Sequence, residues 1–365
     1  MDPIDDATAT DPVAWNVALR IVNEIARFQS PLEPAARRAL DEDFEEATTQ
    51  AERIVEEVTG LHSAFGPTRS VVIDRAGWGE ANIGSLRRLL APVGRKLAEQ
   101  DSSQRRALSP AAKAAAGVEI GALLGWMSSR VLGQYDLMPN DADATGGLVY
   151  FVGPNVVSLE RRFGFDPRQF RLWLALHEVT HRLQFTGVPW MRAHFVGLVE
   201  RGTTSGLPDI REVIAGLRRA AAQFWEGINP LADGGVVGLI ASSEQLATLR
   251  DAQALMSLLE GHAEAVMSRA GTEAIPDARR FAEVLAERRA SARGVVKFAQ
   301  QALGIEAKLR QYADGSRFIA AVEKAGGPEL FAKVWESPEW LPSLEEIRSP
   351  ERWIARASGV SSPSG

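Results

Sequence analysis

The sequence predicts a mainly α-helical protein of many helices, with a small β-hairpin or sheet near residues 146–159. Three observations carry this. Apolar residues recur at spacings of three and four along most of the chain, the period of helices with a buried face. A single segment breaks that period and runs through β-branched and aromatic residues between glycines. An apolar share of 45% and a charged share of 24% are those of an ordinary globular protein, which excludes wholesale disorder.

The N-terminus, "MDPIDDATATDPVAW", is acidic and lacks the basic region and apolar run of a secretory signal, which points to the cytoplasm. The helical period opens at 15–28 and returns at 75–93 and 112–132. Within the last of these, "AAAGVEIGALLGWMSSRVLG" (114–133) is the most hydrophobic window, but Glu119 and Arg130 make it a buried helix and not a membrane span. In the segment "GGLVYFVGPNVVSL" (146–159), Val149, Tyr150, Phe151 and Val152 lie between glycines and a Gly-Pro-Asn turn at 153–155 and read as a strand. It either covers the core as a hairpin or offers an edge to an extended peptide. Asp166 and Pro167 then start a helix by capping and by a pre-set φ, and Gly187 with Pro189 stops it. Helical pattern continues at 209–226, 243–269, 277–302 and 316–335. Together these suggest an N-terminal helical region (1–110), a core (111–275), a C-terminal helical region packed on it (276–350) and a tail (351–365), all in one continuous domain.

Net charge is −6 and spread along the chain, so no electrostatic footprint for nucleic acid or an anionic membrane is present. The chain has 0 cysteines, which excludes disulfides, thiol catalysis and Cys-ligated zinc and leaves His, Asp and Glu as the strong metal ligands.

Chemistry concentrates in "FRLWLALHEVTHRLQF", residues 170–185. Leu172, Leu176, Val179 and Leu183 form one apolar stripe; Phe170, Trp173, Leu174 and Phe185 form a second, which His177 and His181 continue, so both imidazoles are expected to point into an interior. Residues four apart on a helix stack one above the other, close enough for both rings to reach one ion. Glu178 sits about 100° round from His177 and flanks the ion without blocking it. A carboxylate there can take a proton from a metal-activated water and pass it to a leaving amine. With 5 histidines in 365 residues, chance supplies such a His-Glu-x-x-His in roughly 0.005 of chains, so coincidence explains it poorly.

A catalytic zinc needs a third protein ligand. Gln184 and Gly187 stand where a metzincin would carry Gly and His, which excludes that pattern. His194 follows a Gly and a Pro, and His62 reads as a loop histidine. The better source is "SLLEGHAEAVMSRAG" (257–271), on a helix with a capping box at Ser242 and Gln245 and an end at Gly271. Glu260 and His262 lie about 200° apart on it and cannot both ligate. Glu260 is preferred, because Gly261 and Ala263 leave room for close packing, and Glu264 one turn on can accept the N–H of a ligating histidine. His262 is the alternative. For the oxyanion, Tyr312 in "KLRQYADG" is the candidate donor, with Arg310 beside it.

With "HEVTH" and "EGHAEAVM" both present, the chain resembles zincins, and among them the gluzincin branch. More narrowly it resembles a zincin-like family of actinobacteria, described as zinc-dependent metalloproteases or hydrolases, one subgroup of which is labelled as associated with deazaflavin coenzyme biosynthesis. That label does not make the coenzyme a ligand. The resemblance rests also on "GALLGWMSSRVLGQYDL", "LVYFVGPNV" and "VWESPEWLPSLEEI" and covers most of the chain from about 115 onward. It implies a multi-helix zincin-like fold and a zinc site of His177, His181 and Glu260. Where gluzincins commonly have Asp after the third ligand, this chain has Glu264.

The expected function is zinc-dependent hydrolysis of peptide bonds with Glu178 as general base. Two other readings stand beside it: a zinc-stabilised scaffold or interaction protein, and an amide hydrolase acting on a small molecule.

Overall fold

The computed structural model describes residues 10–27, 32–99, 109–137, 146–204, 243–290 and 305–359, and these are mainly helical with a three-stranded sheet, as predicted. The helix expected at 209–226, and the part from 291 on of the one expected at 277–302, lie outside the described residues. The chain forms two compact units, Met1–Pro189 with Arg269–Phe281, and Trp190–Ser268 with Ala282–Gly365. No described helix is long and apolar enough to cross a membrane.

The first unit opens with α1 (Trp15–Arg27), α2 (Pro34–Thr59), β1 (Ser70–Ile73), α3 (Arg75–Glu99) and α4 (Pro110–Ser128). α4 carries the hydrophobic window, and α1 is what covers it. A Cβ on Gly117 would lie 2.6 Å from the carbonyl oxygen of Ala14, and one on Gly121 would lie 2.6 Å from that of Ala18, so only glycine admits α1 this closely. Trp15, Val22, Trp78, Ile83 and Leu124 complete that core. α2 was not evident from the sequence. It starts on a proline in its first turn, ends at Gly60 in the left-handed region (φ 68°), and buries Leu40, Phe44, Ala47, Ala51 and Val55.

β2 (Gly133–Tyr135) and β3 (Val149–Val152) finish the sheet, whose order is β1-β3-β2. β3 pairs in parallel with β1 and antiparallel with β2. The strand read from sequence is therefore central and offers no edge. Its extent matches the reading, Val149–Val152, but where a turn was read the chain passes directly into α5 (Gly153–Phe163). Pro154 belongs to the first turn of that helix, where a missing N–H costs nothing. Asn155, read as part of a turn, is buried; its amide donates to the carbonyls of Ser128 and Val131 (2.7 Å each), and its oxygen accepts from Arg75 Nε (2.7 Å).

α6 (Pro167–Thr186) carries the histidine motif. Asp166 caps it by accepting the N–H of Gln169 at 2.9 Å, as the sequence predicts. On one side it packs on α2, where fully buried Arg182 pairs with Glu52 (3.0 Å) and donates to Thr68 Oγ1 (2.9 Å) and to the Gly66 carbonyl (2.8 Å). Burial lowers the Arg182 pKa, and the Glu52 charge opposes that shift. Near its start, Phe170 meets Phe165 and Phe281 at 4.9 and 5.2 Å between ring centres.

The second unit holds α7 (Met191–Thr204), most of α8 (Ser243–Ala274) and of α9 (Ala278–Ala290), then α10 (Ile305–Ala332), α11 (Leu344–Arg348) and α12 (Pro350–Ala357). α8 runs through Gly271, which therefore does not end it, and Ser242 of the expected capping box lies outside the described residues. α10 is broken at Gly326 and Gly327 ahead of Pro328. Leu258, Phe318, Ile319, Val322, Val334 and Trp353 form the core of this unit. Trp353 is fully buried and donates its indole N–H to the carbonyl of Trp340 (2.8 Å). Residues 351–357 are thus a packed helix and not a tail.

Candidate metal centre

On α6 the two imidazoles face each other, with ring centres 4.6 Å apart and planes at 86°. Their Nε2 atoms are 3.3 Å apart. Two nitrogens each about 2.0–2.1 Å from one tetrahedral zinc would be separated by about 3.3–3.4 Å, so the pair is spaced for a shared ion. Both histidines are half-buried on a helix otherwise largely buried, where the apolar stripes predicted rings turned into an interior. A hydrolytic metal needs an open position that solvent can reach, and partial exposure provides it.

His181 is oriented by a residue that sequence reasoning passed over. Its Nδ1 lies 2.9 Å from Oε1 of Gln184, which is fully buried. An amide oxygen accepts, so this contact suits the tautomer with its proton on Nδ1, which leaves the Nε2 lone pair for a metal. The signal in the sequence was a glutamine three residues past the second histidine, inside an apolar stripe.

Glu178 is 8% exposed. Its Oε2 accepts the backbone N–H of Tyr135 on β2 at 3.0 Å. Tyr135 itself is anchored, its hydroxyl donating to the carbonyl of Gly146 at 3.0 Å. The base candidate is therefore tied to the sheet, not solvated.

Glu260 on α8 is buried. His177, His181 and Glu260 each offer one ligand atom, and these atoms lie within 4.8 Å of one another, so the three could hold one metal ion. The set of two imidazoles and a carboxylate suits zinc chemically. His262 is placed differently: its ring lies 5.5 Å from Phe331 and 5.1 Å from Trp335, centre to centre, in an aromatic cluster. Glu264 is exposed, so the buried acceptor role expected of it is not supported, and Gln184 takes that part for His181. Gly261 packs against α10, where a Cβ would meet the backbone of Gly315 at 2.4 Å. His194 on α7 stands against Trp190, with burial and Arg201 lowering its pKa and Asp251 opposing them. His62 is exposed in the loop after α2, 3.3 Å from Glu56. Tyr312 and Arg310 are on α10, but their side chains lie outside the described residues.

Residues 13–354 match the model of the zincin-like metallopeptidase family. The chain belongs to that family. This zincin-like chain is also similar to a solved structure from Chloroflexus aurantiacus, described as a candidate hydrolase with a novel fold. The two share 28% identity over 95% of this chain and 99% of that one, with a TM-score of 0.68. Among curated proteins, none matches. Zincin-like chains take their family name from a bound metal, typically zinc, and the grouped His177, His181 and Glu260 provide donors for one.

Proposed function

We propose that the chain is a zinc-dependent hydrolase that cleaves peptide bonds. The observation that carries this is the joint placement of His177, His181 and Glu260 with a carboxylate, Glu178, next in sequence to the first of them. A zinc ion held by the three supplies a Lewis acid and brings the pKa of water down to about 7. The remaining steps belong to the chain. Gln184 keeps the proton on His181 Nδ1. Glu178 accepts the proton of the attacking water on its carboxylate and then delivers it to the leaving amine nitrogen, so the acid formed in the first step is consumed in the second.

The sheet supports a peptide over a small amide as substrate. Asp136 and Leu132 bond toward β3, through Asp136 N–H to the Leu148 carbonyl and Val152 N–H to the Leu132 carbonyl, both at 2.8 Å. Alternation then turns the backbone of Gly133 and Tyr135 to the outer side of β2, the side that Glu178 meets. An extended chain laid along that edge would bring a peptide carbonyl beside the base. This edge replaces the one expected at 148–152.

The test is Glu178→Gln in zinc-loaded protein, assayed on a pool of unstructured, internally quenched peptides. The substitution should leave zinc content at one ion per chain and abolish most cleavage. Unchanged cleavage would refute the mechanism. A full zinc complement with no cleavage of any peptide or amide by the unsubstituted protein would favour the scaffold reading, in which the ion only staples helices.

A further inference from the structure

We infer that β2 is a positioning element for Glu178, and that Gly133 must be glycine because the carboxylate occupies the place of its side chain. The inference rests on the general-base reading above for its catalytic consequence, and on geometry alone for the seat itself.

Two separate observations meet at β2. The amide of Tyr135 donates to Oε2 of Glu178 at 3.0 Å. Two residues earlier in the same strand, a Cβ built on Gly133 would lie 2.8 Å from Cγ, 2.8 Å from Oε1 and 3.0 Å from Cδ of the same glutamate. Its three nearest neighbours would all be atoms of Glu178. Gly133 is not one of the glycines with positive φ, so its backbone accepts alanine without strain. What excludes a side chain is the carboxylate. The strand thus holds Glu178 from two sides: Tyr135 takes Oε2 by a charge-assisted hydrogen bond, and the bare Cα of Gly133 lets the rest of the carboxyl group lie flat on the strand. This fixes Oε1 over Gly133. It also explains why the edge is so short, since β2 need only span the two residues that hold the base and the Gln134 between them. Gln134 points the other way and exchanges amide hydrogen bonds with Asn82 of α3 at 3.1 and 3.3 Å, which clamps the strand from behind.

The experiment is a stability cycle joined to kinetics. Gly133→Ala should lower the melting temperature of the otherwise unsubstituted protein by about 2–6 °C, the cost of overpacking. The same change in a Glu178→Ala background should have no such effect, because the clashing group is gone. Equal shifts in both backgrounds would overturn the seat, whatever the protein's activity. In zinc-loaded protein, with the quenched-peptide pool as probe, Gly133→Ala should lower kcat by about 10²-fold, far more than it changes KM, and leave zinc content unchanged, since it displaces the base and leaves the metal donors in place. If Glu178→Gln abolishes cleavage while Gly133→Ala retains full kcat, the positioning role is wrong. If Glu178→Gln itself leaves cleavage intact, the general-base reading fails, and the stability cycle still decides whether β2 seats the carboxylate.

Discussion

Each edge of the small sheet is met by a helix carboxylate, and the two contacts are put to different uses. At β1, Asp41 of α2 accepts the N–H of Val72 at 3.0 Å, and Arg37, one turn earlier, donates to the carbonyl of Val72 at 3.0 Å. At β2, Glu178 of α6 accepts the N–H of Tyr135, also at 3.0 Å. Each is a helix carboxylate on an edge amide, and each removes an unpaired strand group. The neighbours differ. Asp41 has an arginine one turn away, which completes the cover of Val72 and leaves the edge sealed. Glu178 has His177 beside it and His181 one turn on, so its charge stands next to a set of metal donors. An edge contact becomes chemistry when the residues around the carboxylate can hold an ion.

The sharpest break in that comparison is to remove the donors. His181→Ala should abolish stoichiometric zinc, measured by elemental analysis after dialysis, and with it all hydrolysis, because two protein ligands do not retain a catalytic ion. Retention of one zinc per chain would mean the ion sits elsewhere. Next in size is Glu178→Gln, expected to cost about 10²–10⁴-fold in kcat at unchanged zinc content. Gln184→Leu is smaller. With the acceptor of His181 Nδ1 gone, zinc affinity should fall about 10–100-fold in competition against a chelator, whereas Gln184→Glu, which keeps an acceptor, should not weaken it.

What could be read in advance follows the range of the interactions. α6 was legible because its start depends on Asp166 and Pro167, adjacent in the chain, and its motif on residues four apart. β1 and β2 were not. Strands of four and three residues show no usable period, and their partners, Asp41 and Glu178, lie 31 and 43 residues away. The start of α5 was read as a turn, because Pro154 after a glycine looks alike as a turn residue or as the first turn of a helix. Helix geometry showed that Glu260 and His262 could not ligate together. That His262 packs on Phe331 and Trp335, about 70 residues downstream, was beyond any local pattern.

The smallest effect expected is at the sealed edge, and it serves as the control for the rest. Asp41→Ala leaves the N–H of Val72, a residue 1% exposed, without its carboxylate, which should cost about 1–3 kcal/mol of stability in denaturant unfolding. Because Asp41 acts on β1, and β3 stands between β1 and β2, that loss should not reach Glu178: kcat and zinc content should match those of the unsubstituted protein at a temperature where both are folded. A fall in kcat as large as that of Gly133→Ala would show that the sheet moves as one body and that neither edge has a role of its own. A loss of stability alone would separate the edge that holds the fold from the edge that holds the base.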